Sequence, residues 1–219
     1  MHCVITAGPT YERLDDVRRL TNFSTGRLGC ELAGYLTKRG HAVTLLIGEQ
    51  ATWRGERSAS RVEEFSTTDD LHERLRQLAG GPVDAVFHAA AVSDFTFGQA
   101  WERQPSGELA PAKAGKISTR SGTLLVELLP TKKIILQLRD CYPRACLVGW
   151  KYEVDGTRTD ALARGERQLR ECRTDACVVN GRAYGEGFGL LNAQGECRDL
   201  PGKPDLFDAL EELAARGSR

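Results

Sequence analysis

Five short apolar runs constrain this chain more than any other feature: C-V-I-T-A at 3–7, A-V-T-L-L-I at 42–47, D-A-V-F-H-A-A-A at 84–91, A-C-L-V-G-W at 145–150 and A-C-V-V-N at 176–180. None alternates apolar with polar, so each reads as a strand buried on both faces, the pattern of a parallel sheet covered by helices. Helical repeats separate them. Leu28, Leu32, Tyr35 and Leu36 are closed by Gly40; Leu71, Leu75 and Leu78 follow a cap at Thr68 or Asp69; Ile134, Ile135 and Leu138 lie within 132–139; Ala161, Leu162 and Leu169 lie within 157–173; Leu206, Leu210 and Leu213 lie within 205–215. Strand alternating with helix predicts an α/β protein, a three-layer Rossmann-like fold on a mainly parallel, doubly wound sheet. Arg61–Phe65 reads as an edge strand, and 188–200, turning at Asn192-Ala193-Gln194-Gly195, as a small C-terminal hairpin.

With 219 residues and no Pro/Ser-rich linker, the chain reads as a single domain over 1–219. Residues 95–120 break the pattern. They are aperiodic, and a loop of that length reads as a lid, here carrying Lys113 and Lys116, before Thr123–Leu129 resumes as a strand. The 30 basic and 30 acidic side chains balance, which argues against a nucleic-acid or membrane-surface partner and for a small molecule. Seven cysteines without a C-x-x-C fit a reducing compartment and no structural metal. No apolar run approaches the roughly 20 residues that cross a bilayer, and the start enters a strand without a charged leader, so a cytoplasmic protein is expected.

The chemistry is expected between Thr6 and Gly29, T-A-G-P-T-Y-E-R-L-D-D-V-R-R-L-T-N-F-S-T-G-R-L-G, a long connection from the first strand to a helix starting near Arg27. Ser24 and Thr25 are good N-cap residues, Gly26 and Gly29 let backbone approach a ligand, and the free N–H groups of a helix start attract phosphate. A capped helix with small first-turn residues gives the same pattern. The spacing of Gly8, Gly26 and Gly29 is not the dinucleotide G-x-G-x-x-G, and no Walker A lysine occurs. Ala89, Ala90, Ala91 and V-S-D end a strand, where open parallel sheets bind ligands, although small residues there also suit close packing. Trp150 and Asn180 end two further strands. The four histidines, His2, His41, His72 and His88, have no matched catalytic partners.

Taken together, T-A-G-P-T, N-F-S-T-G-R-L-G, A-A-A-V-S-D, the G-K-I of the lid and V-V-N resemble the phosphopantothenoylcysteine synthetase family over nearly the whole chain. That resemblance implies a ligase of coenzyme A biosynthesis joining the carboxylate of 4'-phosphopantothenate to the amine of cysteine through an acyl-nucleotide. It implies that Asn22 donates its amide to the acyl-nucleotide and the carboxylate, and that Gly8, Ser24, Gly26 and Gly29 hold the triphosphate. Ala90, Ala91 and Asp94 would bind phosphopantothenate, Lys116 would neutralise developing charge, and Trp150, where the family usually has Phe, and Asn180 would line the base. It further implies Mg²⁺ with ATP or CTP as co-substrate, no flavin, and a homodimer with shared active sites.

Two features depart from the bacterial CTP-using members. Their two lysines on the helix before the last strand are matched by Gln168 and Cys172, with Arg167 and Arg173 beside them, and Ser118 replaces a second lid lysine. N-F-S-T-G-R and G-W-K-Y-E resemble the ATP-using eukaryotic type, so ATP is expected over CTP. Without a preceding flavin-dependent decarboxylase domain, decarboxylation is expected to fall to another protein. The alternatives are a NAD(P)- or flavin-binding reductase on the same kind of sheet, which the missing G-x-G-x-x-G disfavours, and a non-catalytic nucleotide-binding paralogue, prompted by Gln168 and Cys172.

Overall fold

A computed structural model describes residues 1–112, 115, 117 and 122–217. The chain begins with β1 (His2–Ala7), a short hairpin of β2 (Tyr11–Arg13) and β3 (Arg19–Thr21), α1 (Arg27–Lys38), β4 (Ala42–Gly48), β5 (Arg61–Phe65), α2 (Thr68–Leu78) and β6 (Ala85–His88). It continues through β7 (Phe95–Arg103), β8 (Leu109–Ala112), β9 (Leu124–Pro130), α3 (Ile134–Cys141), β10 (Cys146–Tyr152) and α4 (Arg158–Cys172). β11 (Ala176–Asn180), the hairpin β12 (Phe188–Asn192) and β13 (Cys197–Leu200), and α5 (Lys203–Gly217) complete it.

Eight strands form the central sheet in the order β5-β4-β1-β6-β10-β11-β12-β13, the first six parallel and the last two antiparallel. Among the parallel strands this is the 3-2-1-4-5-6 order of a doubly wound Rossmann sheet, with its switch point between β1 and β6. The pleat sorts the side chains. Cys3, Ile5 and Ala7 of β1 face a core shared with α1 and α5, including Leu32, Leu36, Leu206 and Leu210. Val4 faces the opposite core with Leu71 and Leu75 of α2 and Ile134 and Leu138 of α3. α4 extends that second layer by laying Ala161 and Leu169 on Cys177 and Val179 of β11. Burial on both sides explains why these strands read as unbroken apolar runs.

Two expectations need correcting. Residues 95–112, within the expected lid, are not a structureless stretch: β7 pairs antiparallel with β8 and β9 in a separate three-stranded sheet. Phe95 and Phe97 do alternate, but the register slips between Phe97 and Ala100, and the sheet is largely exposed, so polar residues interrupt the pattern. The strand at 124–130 therefore belongs to this small sheet rather than to the central one. Finally, α2 is capped one residue before the expected position, by Thr67, whose Oγ1 accepts from the Asp70 N–H at 3.2 Å.

Candidate active site at the switch point

The carboxyl ends of β1, β6, β10 and β11 and the start of α1 enclose a cleft of about 680 Å³. Gly8, Asn22, Ser24, Gly26, Gly29, Ala90, Ala91, Asp94, Trp150 and Asn180 all line it. Lys116 and Lys113, the lysines expected from the lid, lie outside the described residues. A second hollow of about 690 Å³, bordered by Asp84, Tyr142 and Arg144, opens at the amino ends of β6 and β10, the wrong end of a parallel sheet for a ligand.

The start of α1 differs from its expected capping. Its N-cap is Gly26, in the left-handed region at φ 76°, and no side chain caps the helix; Thr25 Oγ1 accepts only from the Arg27 N–H, at 3.2 Å. The first turn also carries no acidic residue. The positive end of a twelve-residue helix is thus left uncompensated at the cleft, the condition that attracts an anion. The glycines seat this helix on the sheet. A Cβ on Gly29 would stand 2.5 Å from Ala7 Cβ, and one on Gly26 would stand 2.8 Å from Ile47 Cδ1. The space left by the missing side chains is filled by the protein itself.

Opposite the helix start, a chain of hydrogen bonds fixes the end of β6. The Ala91 N–H donates to Gly8 O at 2.9 Å, and Ala91 O accepts from the Thr10 N–H and from Asn22 Nδ2, each at 3.1 Å. The second Nδ2 hydrogen of Asn22 and its Oδ1 have no partner among the described residues, which leaves a donor and an acceptor on an exposed side chain at the cleft. Behind it, Thr6 Oγ1 accepts from the Ala90 N–H at 3.1 Å and lies 2.9 Å from His88 Nδ1. Burial pushes the His88 imidazole down to about 4, so the ring is neutral near pH 7 and shares a hydrogen bond with the Thr6 hydroxyl. His88 is therefore a structural brace for the A-A-A segment. Asp94 lies at the rim, its carboxylate paired with the Lys133 ammonium and its carbonyl accepting from the Thr131 N–H at 3.0 Å.

The far end of the cleft is different. Trp150 pairs in register with Val178, which faces the α1 side of the sheet, and Asn180 is two residues on, so both side chains rise on that face. Trp150 packs on the core, and its Nε1 is buried without a partner among the described residues; so is Asn180 Oδ1. One unpaired donor and one unpaired acceptor in the same cleft mark a place where a ligand edge would complete the hydrogen bonding. Gln168 reaches in from α4, its Nε2 3.3 Å from Trp150 O. Nucleophilic cysteine chemistry has no support here: burial raises the Cys3 thiol to about 11 and the Cys146 and Cys177 thiols to about 12.

The residues that sequence reasoning missed are the cations at the rim. Lys151 follows Trp150 into the cleft, Arg27 opens α1 with its guanidinium 4.8 Å from the Trp53 ring centre, and Lys133 precedes α3. The W-K and K-K dipeptides at the strand end and helix start were the available signal. The Thr6–His88 brace had a weaker one, two polar residues inside apolar strands.

A doubly wound sheet with an uncapped helix start, a side-chain amide and unpaired polar atoms at its switch point defines a Rossmann-type α/β protein. A family model described as "DNA/pantothenate metabolism flavoprotein C-terminal domain" matches residues 1–199, and the chain belongs to that family. It is 30% identical over 225 residues to the coenzyme A biosynthesis bifunctional protein CoaBC of Bacillus subtilis, covering 98% of this chain but only 51% of that protein. The chain thus spans about half the length of that relative. Its fold matches the DNA/pantothenate metabolism flavoprotein of Streptococcus pneumoniae with a TM-score of 0.83 at 23% identity, over 99% of both chains. It also matches a Cab2 mutant solved with phosphopantothenate-cysteine, with a TM-score of 0.72 at 19% identity, over 99% of this chain and 86% of that one.

Proposed function

We propose that this chain is a phosphopantothenate–cysteine ligase of coenzyme A biosynthesis that works through an acyl-nucleotide. The observation that carries the reading is the convergence at one cleft of the uncapped α1 start, Asn22 bonded to Ala91 O, and the unpaired Trp150 Nε1 and Asn180 Oδ1. The family membership, and a structural neighbour whose bound molecule is phosphopantothenate-cysteine, support the same chemistry.

In this reading the backbone around Gly8, Ser24, Gly26 and Gly29 receives the triphosphate, and Trp150 and Asn180 receive the base. The substrate carboxylate attacks the α-phosphate, pyrophosphate leaves, and the amine of cysteine then displaces the nucleotide from the mixed anhydride. Every step builds or moves negative charge on oxygen, so the residues act by position and electrostatics rather than as nucleophiles. Asn22 holds the carboxylate and then the anhydride with its free amide atoms. Ala90 offers its backbone carbonyl to phosphopantothenate and Ala91 the surface of its small side chain, the Ala91 N–H and C=O being taken by Gly8, Thr10 and Asn22, and the Asp94 carboxylate accepts from the substrate hydroxyl or amide N–H. Lys116 neutralises charge at the reacting phosphate.

Among the described residues no cluster of three or more His, Cys, Asp or Glu side chains is built to hold a cation. Magnesium would arrive on the triphosphate, held by phosphate oxygens and water. ATP is favoured over CTP by Gln168 and Cys172 in place of lysines. A cytoplasmic homodimer completes the proposal. The described residues that expose large apolar side chains include Val17, Leu20 and Phe23 in the first connection and Phe95, Leu128 and Leu129 in the small sheet, the kind of surface a second subunit covers; no described helix is long and apolar enough to cross a membrane. The test is incubation with phosphopantothenate, cysteine, Mg²⁺ and each triphosphate in turn. Pyrophosphate and the amide should appear together; a nucleotide that binds without releasing pyrophosphate would favour a non-catalytic binding protein.

A further inference from the structure

Past the ends of β1 and β6 the two segments stay paired. The Ala91 N–H donates to Gly8 O at 2.9 Å, the Thr10 N–H donates to Ala91 O at 3.1 Å, and Pro9 stands beside Ala91 as a parallel bridge. In a parallel ladder the next bond would run from the Ser93 N–H to Thr10 O. Side chains take its place. Thr10 O accepts from Thr21 Oγ1 at 2.9 Å, and the Ser93 N–H donates to Thr10 Oγ1 at 2.8 Å. Thr10 thus ends the ladder and gives its two oxygens to two different segments.

Both segments continue into the cleft. Thr21 precedes Asn22 and Ser93 precedes Asp94, and Asn22 and Asp94 both line it. A third tie is Ala91 O, which accepts from the Thr10 N–H and from Asn22 Nδ2 alike. Thr10, Ser93 and Thr68 are all buried. The other polar neighbour of the Thr10 hydroxyl is Thr68 Oγ1 at 3.3 Å. Thr68 opens α2, but the side-chain cap there comes from Thr67, and the Thr68 N–H donates to Glu12 Oε1 at 3.1 Å, so the Thr68 hydroxyl is left for Thr10. The Thr10 hydroxyl is therefore held from behind by a helix start and meets the Ser93 N–H in front. That N–H has no other acceptor among the described residues, so removing Oγ1 would leave a buried donor unpaired.

We infer that Thr10 is a positioning residue: its buried hydroxyl, by ending the β1–β6 pairing on Ser93, sets Asp94 in a fixed relation to Asn22 at the phosphopantothenate end of the cleft. The inference rests on the ligase reading and on the roles proposed there for Asn22 and Asp94.

The test is Thr10→Val, which keeps the branched shape and both backbone bonds and removes only the oxygen. An unpaired Ser93 N–H favours arrangements of 91–94 in which it reaches water, so the KM for phosphopantothenate should rise about tenfold as the binding-competent fraction falls. The KM for triphosphate and kcat should stay within about twofold, the split expected when only ground-state binding of one substrate is lost. Thr10→Ser returns the oxygen and should restore the phosphopantothenate KM, and amide exchange at Ser93 should accelerate in Thr10→Val alone. Thr68→Val, which removes the support behind the hydroxyl, should show the same split more weakly and gives the answer if Thr10→Val folds poorly. In an Asp94→Asn background, Thr10→Val should add almost nothing, whereas a general loss of structure would multiply the two defects. Equal rises in both KM values, an unchanged phosphopantothenate KM, or multiplicative defects would overturn the inference with the ligase reading intact. A wild-type chain that releases no pyrophosphate would instead sink the ligase reading, and the inference with it.

Discussion

Two glycines in one helix should respond oppositely to the same substitution. A Cβ on Gly29 would lie 2.5 Å from Ala7 Cβ and 3.4 Å from Thr6 O, so α1 must back away from β1 by about 1 Å to reach ordinary contact. Overpacking of this kind costs about 1–3 kcal/mol, against at most about 1 kcal/mol gained from replacing glycine in a helix. Gly29→Ala should therefore lose up to about 2 kcal/mol, or about 4–8 °C in Tm for a chain of this size. Five residues on, a Cβ on Gly34 would meet only Ser58 Cβ at 3.8 Å, an ordinary contact. Gly34→Ala should gain up to about 1 kcal/mol. Because Gly29 belongs to the first turn, its displacement should also weaken triphosphate binding, which Gly34→Ala should leave alone. Urea unfolding and calorimetric titration with a non-hydrolysable triphosphate give both quantities. Equal shifts in the two variants, or a Gly29→Ala protein with full stability and unchanged affinity, would refute the claim that close seating of α1 on β1 builds the anion site.

Asn22→Asp replaces the amide by a carboxylate beside two anionic reactants and should abolish amide formation while leaving the fold intact, with only a small fall in the unfolding midpoint from the lost bond to Ala91 O; normal turnover would remove Asn22 from the mechanism. Lys116→Gln should slow single-turnover pyrophosphate release by about a hundred- to a thousandfold, and an unchanged rate would shift the role to another cation such as Lys113. In a side-by-side assay ATP should outcompete CTP, and a clear preference for CTP would reverse that reading. His88, at about 4 in the fold and about 6.5 unfolded, is neutral in both states above pH 6.5 but only in the native state between about pH 4 and 6.5, so the stability present above pH 6.5 is lost as pH falls toward 4. That slope amounts to at most about 3 kcal/mol, and pH-dependent unfolding should show it flattened in His88→Gln; an identical slope would contradict a buried neutral His88.

The central sheet was legible because its strands are buried on both faces: Val4 and Ile5 point into opposite cores, so neither β1 nor β4 could hide its pattern. The small sheet was not legible, since its strands meet solvent and a register slip falls between Phe97 and Ala100. The cleft could be anticipated from where strands end, which the order of elements dictates once the sheet is parallel. Its fine structure could not. Ser24 and Thr25 are better N-cap residues than Gly26 by local preference, yet close seating against Ile47 and Ala51 requires a left-handed residue there, and tertiary packing overrides the cap.

The most direct test of the account is a crystal structure of the protein with a non-hydrolysable triphosphate and Mg²⁺. Phosphate density against the backbone N–H groups from Ser24 to Gly29, with the base hydrogen-bonded to Trp150 Nε1 and Asn180 Oδ1, is the predicted result. A nucleotide bound elsewhere on the molecule, with the start of α1 facing only water, would contradict it.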